Sequence, residues 1–392
     1  MRWIILLVLF LARMTMSFQF QSVASAAPFL TSELGLSYAE VGTLIGTYLV
    51  PGTVLAIPSG LLQARFGEKR VCASGLLLMA IGGVALGLSD NYLLALLGRV
   101  VSGAGAVLLN LVIAKMVADW FVGHEISFAM AIVAVSWGVG ISVGLMTQGK
   151  IASGLGLNGL MYVVALSCVL ALTLVLIIYK APPSANQPHI AGPHLPSSIF
   201  PEFRIAIACL VAGAIWGLFN AGLVNFFSFT PEYLTARGLT SIESTFFTST
   251  ALWISILAVP VSGYLVHLVK KPDFAICLFS ALTGLTLVLL AVVPSAALIS
   301  CVMAGVLMAP PIGAILALPA RVTPVAQRAG AIGLFYSCYY VVATIGPTIA
   351  GALRDVTGDA ATPVLFGATL FIIVPIIIVP FWSLTRYATL RD

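Results

Sequence analysis

The sequence predicts an all-α membrane protein of twelve transmembrane helices arranged as two parallel six-helix repeats. Three observations carry that prediction. Of the 392 residues 60% are apolar and only 8% charged, whereas a water-soluble domain needs roughly a quarter charged residues to cover its surface. Apolar runs of about twenty residues recur along nearly the whole chain, the length a helix needs to cross a hydrocarbon core of ~30 Å. Residues 28–62, moved forward by 203 without gaps, meet nine identical residues in thirty-five.

The predicted spans are 3–27, 38–62, 71–88, 92–118, 126–148, 157–180, 204–229, 242–267, 273–293, 295–319, 328–352 and 362–385. A transmembrane β-barrel is excluded because its strands alternate apolar and polar residues, and runs such as Val163–Tyr179 do not alternate. The first span is longer than a cleavable signal peptide, so it is expected to remain in the protein. Twelve Lys/Arg fall on one face of the predicted topology, three (Lys150, Arg237, Arg354) on the other, and three (Arg13, Arg99, Lys115) inside spans. Cytoplasmic loops carry the excess of positive charge, so both termini are expected in the cytoplasm of a bacterial inner membrane.

Between spans six and seven lies the one long hydrophilic stretch, 181–201, with six prolines. It is a linker composition rather than a folded domain. The chain therefore divides into a six-helix bundle at 1–180, a cytoplasmic linker at 181–203 and a second bundle at 204–392. The repeat matches include Pro28/Pro231, Gly35/Gly238 and Glu40/Glu243, residue types that shared apolar composition does not explain. Two parallel six-span halves with a substrate site near the bilayer midplane are a transporter architecture.

After the second span stands Gly60-Leu61-Leu62-Gln63-Ala64-Arg65-Phe66-Gly67-Glu68-Lys69-Arg70. This resembles the G-x-L-x-D-R-x-G-x-K/R-R signature of the major facilitator superfamily. Span four carries Arg99-Val100-Val101-Ser102-Gly103-Ala104-Gly105, similar to that family's R-x-x-x-G-x-G motif, and Gly346-Pro347 in span eleven resembles its glycine–proline hinge. The resemblance implies the major facilitator fold, with Arg65, Lys69, Arg70, Arg99, Gly346 and Pro347 in coupling or gating. Ala64 replaces the signature's acid, so the carboxylate that helps latch the cytoplasmic side is absent. The opening of span one, Ala12-Arg13-Met14 through Phe18-Gln19-Phe20-Gln21, resembles the cyanate and nitroimidazole permease group, which adds Gln21 to the candidate substrate contacts.

Charge in mid-membrane costs roughly 2.5–3.5 kcal/mol on insertion scales and therefore needs a reason. Arg13 lies halfway along span one. Its guanidinium suits a carboxylate-like anion through two parallel hydrogen bonds; capping of backbone carbonyls is the alternative. The repeat makes Trp216 the counterpart of Arg13, and Trp216 and Asn220 share a helical stripe: a pocket wall, or ordinary packing with the amide bonding across helices. Arg99 and Asn110 share a stripe on span four; the family resemblance implies that the arginine lines or braces the central cavity, and a structural brace is the alternative. Tyr48, Trp137, Tyr336 and Tyr340 are further polar-tipped aromatics near mid-span, together with Trp253. Lys115 precedes Asp119 by four and is read as a snorkelling ion pair. Glu40 and Glu243 follow Ser37 and Thr240 by three, the S/T-x-x-E capping box, which accounts for their repetition better than a proton-carrying role.

No carboxylate is left in mid-span, which favours a uniporter, an anion exchanger, or a symporter whose substrate brings the proton. The six cysteines lie in apolar spans as packing residues, and the four histidines lack ligand spacing, so neither metal nor cofactor is expected. The expectation is a monomeric secondary transporter, not an enzyme and with no nucleic-acid partner. It moves a small cyanate-, nitrate- or carboxylate-like anion through the lipid bilayer by alternating access. The rivals are a carrier of neutral or zwitterionic solutes such as short peptides, a multidrug exporter and, outside transport, a non-transporting membrane sensor or a membrane enzyme.

Overall fold

A computed structural model describes residues 1–55, 59–121, 125–180, 202–269, 271–324 and 327–386. The chain forms two compact units, Met1–His189 and Ile190–Asp392. Regular structure among the described residues is helical.

In the first unit the helices are α1 (Arg2–Ser25), α2 (Ala27–Glu33), α3 (Tyr38–Thr47), α4 (Val50–Leu55), α5 (Ser59–Phe66), α6 (Glu68–Gly87), α7 (Tyr92–Trp120) and α8 (Glu125–Ile178). The second unit contains α9 (Phe203–Ala236), α10 (Ser241–Val269), α11 (Pro272–Val292), α12 (Ala297–Leu307), α13 (Ala309–Leu316), α14 (Leu318–Val322), α15 (Arg328–Thr357) and α16 (Ala361–Arg386).

Among the described residues ten helical stretches are long and apolar enough to cross a membrane. Two further crossings complete the predicted twelve. One is hidden inside α8, whose 54 residues hold predicted spans five and six. The expected connection at 149–156 is helical up to its last residue, and the break is made by Gly156 alone, at φ 71° and ψ −180°. The other is the second span, where a turn at Tyr48 and Leu49 separates α3 from α4. The tenth span is also segmented. Pro310 and Pro311 open α13 and Pro319 opens α14, positions where a missing N–H loses no helical bond.

The helix starts at the two repeated glutamates follow the sequence. Ser37 N–H donates to Glu40 Oε2 at 2.9 Å and Glu40 N–H donates to Ser37 Oγ at 3.2 Å. Thr240 and Glu243 repeat the pair, also at 2.9 and 3.2 Å. Both are capping boxes, each satisfying two orphan amides at the start of its helix.

Small residues set the helix spacing. Between α6 and α7 a Cβ added to Gly75 would meet the Gly105 carbonyl, and one added to Gly105 would meet that of Gly75; Gly82 and Gly98 are reciprocal in the same way. Close backbone approach replaces the hydrophobic drive that lipid cannot supply. The repeat extends to such contacts: Gly103 abuts the Tyr48 carbonyl in the first unit, and Gly305 abuts that of Ala251 in the second. In the second unit α9 lies against α15 and α16, its Gly213 and Gly217 meeting the Phe335 and Tyr339 backbones of α15. That approach brings the side chains at 216 and 220 beside those at 336–340.

Candidate functional site

Arg13 emerges from mid-α1, half-buried, and its guanidinium is held by two neutral oxygens. Nε–H donates to Asn110 Oδ1 of α7 at 3.1 Å, and a terminal N–H donates to the Val133 carbonyl of α8 at 2.7 Å. Asn110, predicted on the stripe of Arg99, thus belongs to Arg13.

Arg99 is 2% exposed. It donates to the carbonyls of Leu44 (2.9 Å), Gln19 (3.1 Å) and Phe20 (3.2 Å), joining α7 to α1 and α3. The ring of Tyr48 lies 4.5 Å beneath the guanidinium carbon, a cation–π contact inside the desolvated bundle. Tyr48 Oη in turn donates to the Met16 carbonyl at 3.1 Å. Phe20 packs between Tyr48 and Trp137, with centroids at 5.5 and 5.6 Å. Tyr48 and Trp137 are therefore tied to the Arg99 brace. Gln21 is 1% exposed and lies beside Gly144 and Gln148 of α8, inside the bundle.

In the second unit Trp216 stacks on Tyr339 at 6.0 Å and 28°, and on Phe219 at 6.1 Å and 13°. Tyr339 Oη donates to Asn220 Oδ1 at 3.3 Å. Tyr336 and Tyr340 meet Tyr339 at 6.0 and 4.7 Å. Trp216, Asn220, Tyr336 and Tyr340 are thus gathered into one neutral aromatic–amide cluster on α9 and α15. Tyr339 is its centre and was not among the predicted contacts. Tyr339 follows Tyr336 by three, a spacing that shares the same helix face as Tyr340 at four.

The repeat relates these sites. Trp216 follows Arg13 by 203 residues, and aligning Gly140 with Gly346 makes Tyr339 the counterpart of Val133. Arg13 bonded to Val133 and Trp216 stacked on Tyr339 are therefore one contact made in two chemistries. Aligning Gly103 with Gly305 sets Cys301 at the position of Arg99, so the second unit lacks the arginine brace.

Of the gating candidates, Arg65, Lys69 and Arg70 belong to neither cluster. Lys69 donates to the carbonyls of Leu176 and Tyr179 at 2.7 and 2.8 Å, capping the end of α8. Arg65 and Arg70 are exposed, the former 5.4 Å from the Phe66 ring centroid. Lys115 does more than reach toward water: it pairs with Asp119 at 2.8 Å and with Glu68, which also accepts from Tyr179 Oη at 3.0 Å. Asp273 of the second unit pairs with Arg321 and accepts from Trp382 Nε1 at 2.9 Å. Neither acid was a sequence candidate, because their partners are 47 and more residues away. Gly346 abuts Ala221 of α9, and Pro347 lies inside an α15 that continues through it.

Known proteins resemble this chain in sequence and in fold. The inner membrane transport protein YajR of Escherichia coli (strain K12) is 33% identical over 154 residues, 39% of this chain and 33% of that protein. The multidrug efflux pump SdrM of Staphylococcus aureus (strain N315) is 27% identical over 219 residues, 54% of this chain and 47% of that protein. The chain spans about a third of the length of the first curated relatives it matches. The crystal structure of a D-xylose–proton symporter superposes with a TM-score of 0.77 over 98% of both chains at 13% identity, a likeness of fold. The profile of the Major Facilitator Superfamily matches residues 9–347, taking in both units and the R-x-x-x-G-x-G and glycine–proline segments, and the chain belongs to that superfamily.

Proposed function

We propose that the protein is a secondary transporter that moves a small organic or inorganic anion by alternating access, with Arg13 as the anchor for the negative charge. The observation that carries this reading is the setting of Arg13. A full positive charge sits half-buried at mid-span and is oriented by the neutral oxygens of Asn110 and Val133. The two oxygens fix the orientation of the guanidinium, and a desolvated guanidinium binds carboxylate-like groups strongly. Arg99 keeps α1 in place through the carbonyls of Gln19 and Phe20. The reading includes a monomer with both termini in the cytoplasm, supported by the bias of Lys/Arg along the sequence.

The test is anion binding to purified, monodisperse protein, screened by thermal shift because a ligand raises the melting temperature by mass action. Losing one member of a desolvated charge pair costs about 2–5 kcal/mol, so Arg13→Ala weakens binding roughly thirtyfold or more. Arg13→Lys recovers only part, since a point charge does not replace a two-pronged donor. A folded Arg13→Ala that binds anions like wild type overturns the proposal. The rival, a multidrug exporter, draws support from the SdrM relative and predicts that same indifference to Arg13.

A further inference from the structure

Two amide side chains of the first unit meet beside one glycine where α1 packs on α8. Gln21 of α1 is 1% exposed and Gln148 of α8 0%. A Cβ added to Gly144 would lie 3.1 Å from Gln21 Cγ and 3.2 Å from Gln148 Oε1, so both side chains border the space that the glycine leaves open. Gln148 Nε2 donates to the Phe18 carbonyl at 2.7 Å, and Gln21 Nε2 donates to Ser25 Oγ at 3.5 Å. Turning the Gln148 amide over would set its oxygen against a carbonyl, so its orientation is fixed. Both Oε1 atoms are sealed and accept no hydrogen bond from the described residues, which is costly for a buried acceptor. The fold does not require these amides. The shift of 203 makes Val224 the counterpart of Gln21, and aligning Gly140 with Gly346 makes Ala350 that of Gly144 and Arg354 that of Gln148. Val224 and Ala350 are buried and Arg354 pairs with Glu232 at 3.0 Å, so at these three positions the second unit has no amide.

We infer that this place binds a sodium ion, with Gln21 Oε1, Gln148 Oε1 and Ser25 Oγ as protein ligands. With both amide nitrogens committed to α1, the atoms left over are acceptors only, and a cation satisfies acceptors. The ion is singly charged, because divalent ions are held by carboxylates, and neither helix offers one here: α1 has no Asp or Glu, and that of α8 is Glu125, paired with Arg2 at the helix start. Gln21 and Ser25 lie in the last turns of α1, where the helix dipole is negative and favours a cation. Neutral oxygens at a helix end are a known setting for sodium in membrane carriers. The space of one missing methyl group selects the smaller ion over potassium. Ser25, half-buried, is the side from which the ion enters. This inference stands apart from the anion reading and makes no use of Arg13.

The experiment is thermal unfolding of the purified full chain in choline chloride, with NaCl or KCl replacing choline at constant ionic strength. Binding of radioactive sodium by scintillation proximity runs beside it. The melting temperature of wild type should rise with sodium and saturate, because a ligand of the folded state stabilises it by mass action. Half-saturation should fall at a sodium concentration at least about tenfold below that of potassium. Gln148→Leu should abolish both the shift and the bound sodium while melting close to wild type in choline, since leucine leaves no acceptor sealed at that position. Gly144→Ala and Gln21→Val copy the residues of the second unit, which supports their folding, and should lose the sodium response too. Equal melting temperatures in sodium, potassium and choline overturn the inference and leave the two amides to water or to each other. Any of the three variants that folds and binds sodium like wild type overturns it as well, because the ion then sits elsewhere.

Discussion

Tyr179 and Trp382, 203 residues apart in the sequence, make the same contact in the two units. Each donates a hydrogen bond to the acid at the start of its unit's third span, Tyr179 Oη to Glu68 at 3.0 Å and Trp382 Nε1 to Asp273 at 2.9 Å. Each acid is also paired with a base near the end of the fourth span, Lys115 or Arg321. The same three helix ends are therefore tied together twice, with a phenol and a lysine in one unit and an indole and an arginine in the other.

These knots make separable contributions to stability. A hydrogen bond to a charged group contributes about 1.5–3 kcal/mol when shielded and less at a partly exposed position. Tyr179→Phe and Trp382→Phe should each lower the resistance to unfolding by about 1 kcal/mol, and the double variant by their sum, since the two networks share no partner. Denaturant unfolding of the purified protein measures this. A double variant as stable as wild type would remove the knots from the account of stability.

Arg99 should behave as a brace. Its three bonds end on backbone carbonyls, which no substitution elsewhere can replace. Arg99→Leu should reduce the yield of monodisperse protein and lower its melting temperature, at about 1–3 kcal/mol for each buried polar group left unpaired. Arg99→Lys, with a single ammonium, should recover part of the loss. A stable Arg99→Leu that binds substrate and no longer transports it would instead assign the residue to coupling.

Asn110→Asp tests whether a carboxylate placed beside Arg13 competes with a bound anion. The new carboxylate would stand where Asn110 Oδ1 now accepts from Arg13 Nε at 3.1 Å. Anion affinity should fall by at least about tenfold, the effect of placing a competing acid beside the anchor. Titration with benzoate or acetate at about pH 7 reads it, and unchanged affinity would separate Asn110 from the anchor.

Glu40→Gln and Glu243→Gln should transport nearly normally, because glutamine also closes a capping box. Ser37→Ala and Thr240→Ala should each cost about 1 kcal/mol of stability. Loss of uptake in a well-expressed Gln variant would return these residues to a proton-carrying role.

The parts of this structure written locally were legible in the sequence, and the parts written across distance were not. Apolar runs announce spans, and Ser37-x-x-Glu40 announces its own cap. Arg13 was conspicuous because an intramembrane charge is rare. The partners of Arg99 are carbonyls, which every residue has, so nothing in the chain marks Leu44, Gln19 and Phe20 as its acceptors. Glu68 and Lys115 lie 47 residues apart and share no local pattern. Tyr339 was visible as part of a Tyr339-Tyr340 pair, yet its role depends on α9 meeting α15, which only the folded second unit displays.

Gly156 has a practical consequence for anyone labelling this protein. The fifth and sixth spans are joined through one residue at φ 71° and ψ −180°, with helix on both sides. That backbone region is essentially closed to other amino acids, at about 1–3 kcal/mol for an occupant with a side chain. A protease finds no extended strand to grip there and an antibody no loop to recognise. An epitope tag spliced into the junction should compromise folding, whereas fluorophores and tags placed beyond the capped helix ends at Gly35 or Gly238 should be tolerated.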